Sequence, residues 1–136
     1  MVISTKGRYA LRMMLDLAEH AGEGFVSLKS VSQRQEVSLK YLEAITASLN
    51  HAGLLQSQRG KEGGYRLSRP ASDITVLEVL RSAEGSLAAV SCLAMEEAAC
   101  DRAAQCMTLP LWKKLDTLMD DYLGGVTVQN VLDGEV

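Results

Sequence analysis

The chain has 136 residues, 47% hydrophobic and 23% charged. That suffices for one packed domain, or a domain with an appendage, and excludes a disordered polymer. No apolar run reaches the roughly 18 residues of a spanning helix, and Met1-Val2-Ile3 passes at once into Ser4-Thr5-Lys6-Gly7-Arg8, which is no secretory signal, so a cytoplasmic protein is expected. The net charge of −3 is unevenly divided: ten Lys or Arg against six Asp or Glu through residue 69, then four against eleven. The basic first half is therefore the candidate for approaching a polyanion.

Aromatic residues are scarce, so the core must rest on Leu, Val, Ile, Met and Ala, which favours a mostly α fold. Ser4 or Thr5 can cap a first helix whose apolar residues Tyr9, Leu11, Met13, Met14, Leu15, Leu17 and Ala18 run toward Gly22 and Gly24. Its all-round apolar character predicts burial. A short second helix opens at Ser27 or Ser30 and runs through Gln35, and Ser38 caps a third that places Leu39, Leu42, Ile45 and Leu49 on one face before Gly53. Two helices joined by Glu36-Val37-Ser38 form a helix-turn-helix.

Leu54 to Arg59 reads as a strand, Gly60-Lys61-Glu62-Gly63-Gly64 as a turn, and Tyr65 to Ser68 as the returning strand, a two-stranded wing. Arg69-Pro70 closes a winged helix-turn-helix domain of residues 1–69. Residues 70–136 form a second region: a helix from Ile74 with Val76, Val79 and Leu80 inward and Gly85 at its end, then a loop from about Ser86 to Met107. Thr108-Leu109-Pro110 starts a long helix ending at Gly124-Gly125, with Leu111, Trp112, Leu115, Leu118, Met119, Tyr122 and Leu123 apolar. That stripe suits packing on its counterpart in a second subunit, a long C-terminal dimerisation helix; the alternative is burial against the first helix. Val126 to Val136 reads as a strand or turn and a short helix.

A helix-turn-helix presents the start of its second helix to the major groove of duplex DNA, and here that start holds Ser38, Lys40, Tyr41 and Glu43. Lys40 can contact phosphate or guanine, and Ser38 and Tyr41 can donate to phosphate oxygens. The Glu43 carboxylate can only accept, which suits the exocyclic amine of cytosine; a solvated helix face or an ion pair with Lys40 is the competing role. In the wing, Arg59 and Lys61 flank a tight turn whose Gly60, Gly63 and Gly64 bring backbone amides near the sugar-phosphate rail, unless they simply decorate a charged hairpin tip. The glycines do not cradle a nucleotide, since Gly64 leads into Tyr65-Arg66-Leu67 rather than into a helix carrying Lys and Ser or Thr.

Cys92, Cys100 and Cys106 are the chain's three cysteines, spaced Cys-x7-Cys-x5-Cys. Without close Cys-x2-Cys pairs zinc is poorly signposted, whereas three thiolates on one loop can curl around an iron-sulfur cluster that needs a fourth ligand. Buried apolar cysteines and thiol switching are the other readings. With no general base, nucleophile pair or substrate motif, the chain is not expected to be an enzyme.

The opening Ser4-Thr5-Lys6-Gly7-Arg8-Tyr9-Ala10-Leu11, the segment Ser38-Leu39-Lys40-Tyr41-Leu42-Glu43 and the wing Arg59-Gly60-Lys61-Glu62-Gly63-Gly64-Tyr65-Arg66-Leu67 together resemble the Rrf-two family of winged-helix transcription regulators. Its iron-sulfur branches include the IscR, NsrR and RirA groups, and the resemblance covers nearly the whole chain. It implies a homodimer formed through the helix carrying Trp112, the helix at Ser38 to Glu43 in the major groove, and Arg59 at the minor groove. The implied DNA-contacting set is Lys6, Ser38, Lys40, Tyr41, Glu43, Arg59, Gly60, Lys61, Gly63 and Gly64. The implied metal ligands are Cys92, Cys100 and Cys106, holding a 2Fe-2S cluster in preference to 4Fe-4S, with iron-sulfur assembly proteins as further partners.

The chain departs from the IscR pattern at Leu109, where that branch places a histidine ligand, and Arg8 stands where other branches use an acidic ligand. Glu96, Glu97, Asp101, a thiol or water are then left for the fourth position. The expectation is a DNA-binding regulator that senses cluster status, redox or nitrosative stress, or else a cluster-free relative that senses by thiol oxidation or by binding a partner protein.

Overall fold

The computed structural model describes residues 3–90, 93 and 105–136; Cys92 and Cys100, together with Glu96, Glu97 and Asp101, lie outside the described residues. Helix α1 spans Thr5–Glu19. Ser4 caps it, its Oγ accepting from the Gly7 amide at 3.1 Å. Ala10, Met13, Met14 and Leu17 turn inward and are fully or almost fully buried, while Arg8 and Arg12 lie on the exposed side. The helix is thus amphipathic rather than buried all round.

Helix α2 is Leu28–Gln35, capped by Ser27, and α3 is Leu39–His51, capped by Ser38. Between them Glu36 takes a left-handed conformation (φ 55°), the sharp corner of the helix-turn-helix. That conformation costs a non-glycine residue about 1–2 kcal/mol. Hydrogen bonds on both sides hold it: the Val37 amide donates to Ser32 O at 3.2 Å and Ser32 Oγ donates to Val37 O at 2.5 Å.

Strands β1 (Leu55–Gln58) and β2 (Gly64–Leu67) pair antiparallel with Leu55 opposite Leu67 and Gln58 opposite Gly64. The wing is therefore where the turn glycines place it, though Leu54, Arg59 and Ser68 fall outside the ladder and Gly64 within it. A short third partner joins, because Val26 and Tyr65 exchange two backbone hydrogen bonds of 2.8 Å. Gly64 permits this: a Cβ there would overlap the Val26 carbonyl.

Helix α4 runs Val76–Glu84, two residues later than Ile74, because Thr75 and Glu78 form a reciprocal capping box. The long helix α5 is Leu109–Gly125 and α6 is Val128–Asp133. The segments before α4 and α6 bridge at Thr75 and Thr127, with Val128 N donating to Ile74 O and Val76 N to Val126 O, each at 2.8 Å.

One buried cluster holds α1, α2 and α3 together with Ile74, Val79 and Val128, so both halves of the sequence supply it. A smaller one forms around Val76, Leu80 and Leu87. The halves are also fastened at the edge. Glu84, the last residue of α4, accepts from Ser4 N at 2.7 Å and from Ser4 Oγ at 2.6 Å, and Gly7 leaves the space its carboxylate occupies.

Helix α5 behaves differently. It packs on α4, yet no residue in it is buried, and Leu111, Leu115, Leu118 and Tyr122 are 40 to 59% exposed along one face. Burial against α1, the alternative for this stripe, does not occur.

Candidate nucleic-acid interface

The start of α3 is held by two contacts. Ser38 Oγ accepts from the Tyr41 amide at 3.2 Å, so the hydroxyl caps the helix and keeps only its own proton for an outside acceptor. The Tyr41 ring meets Tyr9 of α1 edge to face, with centroids 5.9 Å apart. Lys40 and Glu43 are exposed, and neither forms an ion pair among the described residues, which removes the intrahelical Lys40 partnership expected to compete for Glu43. A cation and a carboxylate thus stand free on the leading turns of a rigid helix.

Lys6, one turn before Tyr9 on α1, reaches the last turn of α3, its Nζ donating to Ser48 Oγ at 2.9 Å. It sits at the flank of the reading helix rather than beside Lys40. In the wing, Arg59 and Lys61 are both exposed at the hairpin end, Gly60 takes a φ of 110°, and the Gly63 amide donates to Gly60 O at 3.0 Å to close the turn. Gly63 and Gly64 are required first by packing, since a Cβ at either would collide with backbone.

The reading head is braced from beneath. Asp16 of α1 is 1% exposed at its side chain and accepts from Arg34 Nη2 at 2.7 Å, Arg34 Nε at 3.0 Å and Gln35 Nε2 at 2.9 Å. Burial alone would push its carboxyl up; the bonds from Arg34 and Gln35, with the charges of Arg34 and His20, outweigh that and hold its pKa below the ordinary value. Arg12 holds the same corner from outside: Nε donates to Gln35 Oε1 at 3.0 Å, Nη2 donates to Gln35 O at 2.8 Å, and the guanidinium lies 4.7 Å from the Tyr9 centroid. Sequence reasoning missed Arg12, Tyr9 and Asp16, whose partners lie far along the chain.

Cys106 is the one expected metal ligand among the described residues. It lies just ahead of α5, with Sγ 3.3 Å from Thr108 Oγ1. Hydrogen bonds from the Thr108 side chain and amide, with a contribution from the Leu109 amide, push its thiol pKa down. Position 109 is an aliphatic side chain with no donor atom, and no group of three or more His, Cys, Asp or Glu converges among the described residues. A cluster's ligand set therefore cannot be completed from the described residues alone. No helix among them is long and apolar enough to cross a membrane.

A recognition helix exposed at its first turns, behind a braced turn and beside a cationic hairpin, defines a winged helix-turn-helix DNA-binding protein. The family model described as Rrf2, iron-dependent transcriptional regulator, matches residues 3–134. Residues across 98% of the chain are 43% identical to the HTH-type transcriptional regulator NMA1593 of Neisseria meningitidis, covering 88% of that protein. Among solved structures, IscR of T. potens is 38% identical with a TM-score of 0.79, covering 100% of this chain and 89% of that one. The global cysteine regulator CymR of B. subtilis is 34% identical with a TM-score of 0.79, covering 98% and 97%. The chain belongs to the Rrf2 family of winged-helix transcription regulators, within its IscR branch. Members of this family are regulators, not enzymes.

Proposed function

We propose that the chain is a homodimeric regulator that reads duplex DNA with α3 and the wing and adjusts its grip through thiol chemistry ahead of the dimer helix. For DNA reading, the support is the free Lys40 and Glu43 on α3 and the exposed Arg59 and Lys61 at the wing. Lys6, Ser38 and Tyr41 complete the backbone-gripping set, with Gly60, Gly63 and Gly64 keeping the turn slim enough to approach the sugar-phosphate rail. For dimerisation, it is the apolar stripe of α5, which a second copy would cover by two-fold packing.

The observation that carries the sensing reading is Cys106, half-exposed, with a lowered thiol pKa, immediately before α5. Its thiolate attacks a peroxide oxygen, the O–O bond breaks, sulfur is oxidised to sulfenic acid, and the other oxygen leaves as hydroxide or alkoxide. A polar group then stands at the start of the dimer helix. A coupling of about 1–3 kcal/mol would change DNA affinity roughly 5- to 150-fold. The existence of an oxidised form of a relative, CymR of Staphylococcus aureus, favours this reading.

The second reading is an iron-sulfur cluster held by Cys92, Cys100 and Cys106, favoured by the iron dependence in the family description and by the IscR relatives. Such a cluster, 2Fe-2S in preference to 4Fe-4S, would supply a redox-active centre when bound; Cys106 is suited to ligate it and Leu109 is not. Anaerobic purification with an absorption spectrum and iron and sulfide analysis separates the two. Colourless, iron-free protein whose DNA affinity falls or rises at least fivefold after peroxide, and not in Cys106→Ser, supports thiol sensing. Coloured protein with stoichiometric iron and sulfide overturns it in favour of the cluster. Unchanged affinity in iron-free protein removes both.

A further inference from the structure

We infer that Leu39 is a specificity-determining residue of the DNA interface, its side chain meeting the 5-methyl group of a thymine in the major groove. This rests on the chain's reading of duplex DNA with α3 and adds a base feature that the hydrogen-bonding residues there do not take. The apolar spacing of α3 groups Leu39 with Leu42, Ile45 and Leu49, yet only the last three are buried, at 1% exposure or less. Leu39 is 44% exposed and joins neither hydrophobic cluster. No other large apolar side chain among the described residues up to Val90 is exposed, so this one is not part of a wider patch that a protein partner would cover.

Helix geometry fixes where that side chain stands. Leu39 is the first residue of α3, directly after the Ser38 cap. Successive residues turn by about 100° around a helix, so Leu39 lies roughly opposite Tyr41, whose ring packs on Tyr9. It therefore points away from α1. Glu43 follows four residues later, on the same face. Lys40, Glu43, Ala44 and Ala47 are the exposed residues beside it, and the two short alanines let that face come close to a base edge. The start of a recognition helix is the part that reaches the bases. An isobutyl group offers neither donor nor acceptor, and the thymine methyl is the feature of the major groove that is read by apolar contact. Side chains four apart on a helix are about 5–6 Å apart and stacked bases about 3.4 Å, so the thymine should lie within about two base pairs of the cytosine preferred through Glu43.

The test starts from the duplex that the full chain enriches out of a randomised pool. Each thymine of its half-sites is replaced in turn by deoxyuridine, which lacks only the methyl group, and binding is measured by fluorescence anisotropy for wild type, Leu39→Ala and Leu39→Met. Burying one methyl-sized group is worth ~0.8 kcal/mol, which is about fourfold in affinity. At one thymine per half-site, loss of the methyl should therefore weaken wild type by about fourfold. Leu39→Ala should bind the thymine and deoxyuridine duplexes equally, and Leu39→Met should keep the wild-type sensitivity. A wild-type chain insensitive to every methyl, or an enriched duplex with no thymine in its half-sites, overturns the contact. Equal sensitivity in wild type and Leu39→Ala also overturns it, because the methyl would then act through the shape of the duplex. A chain that enriches no duplex refutes DNA reading itself and this contact with it, a result distinct from the other three.

Discussion

Replacing Asp16 by Asn tests whether the brace beneath the helix-turn-helix is electrostatic. The variant keeps the shape and one acceptor but loses the charge that receives both Arg34 nitrogens and Gln35. Breaking a buried pair by removing one partner costs about 3–5 kcal/mol. Arg34, however, is 36% exposed while Asp16 is 1% exposed, so water recovers part of the orphaned guanidinium. The expected loss is therefore about 2–3 kcal/mol at pH 7, and a midpoint roughly 6–15 °C lower. The pH dependence gives the sharper check. The folded-state pKa of Asp16 is depressed, so its stabilisation is present above the unfolded value near 4 and is lost as pH falls through the folded value. Urea titrations followed by circular dichroism, at one fixed protomer concentration, should show the gap between wild type and Asp16→Asn closing as the pH is taken from 7 to below 4. A gap under about 0.5 kcal/mol at pH 7, the range of ordinary surface changes, or one that persists unchanged in acid, would refute the electrostatic brace.

Glu43→Ala should relax base preference more than it lowers total binding, whereas Lys61→Ala should weaken binding to every sequence and reduce the salt slope; equal losses on preferred and scrambled duplexes for Glu43→Ala would end its reading role. Leu118→Glu places a charge in the middle of the exposed α5 stripe and should give a monomer by sedimentation at concentrations where wild type is dimeric. Gly64→Ala should cost about 1–3 kcal/mol by forcing Val26 off the wing, while Gly22→Ala, which meets nothing within 4 Å, should be close to neutral in the same melting assay. Thr108→Val should raise the thiol pKa of Cys106 and slow its alkylation at neutral pH, because the strongest hydrogen bond lowering it is gone; an unchanged rate profile would count against that cause.

What the sequence made legible was local. Ser4, Ser27 and Ser38 announce three helices through bonds made within three residues, and the glycine-rich turn with Tyr65 behind it announces the hairpin. The Thr75-x-x-Glu78 box was equally readable and sets the true start of α4, which the apolar run from Ile74 obscured. What was not legible joins residues far apart. Asp16 and Arg34 are 18 positions apart, Arg12 and Gln35 are 23, Lys6 and Ser48 are 42, and no periodicity signals any of these pairs. The exposed leading residues of α3 could be picked out because the motif is contiguous. The Arg12 and Tyr9 contacts behind them could not, since they depend on where α1 crosses α2 and α3.

The bond from Ser4 to Glu84 has a mechanical consequence. Glu84 is the final residue of α4, and Gly85 opens the stretch that leads toward Cys106; Ser4 begins the helix that bears Tyr9, Arg12 and Asp16. A single carboxylate oxygen thus works as a buckle between the end of α4 and the lever supporting the reading head. A displacement of that end would reach the lever's first turn without crossing the interior. A fragment cut at residue 69 would lose the buckle along with Ile74, Val79 and Val128, and its gripping surface would stand on an unfinished foundation.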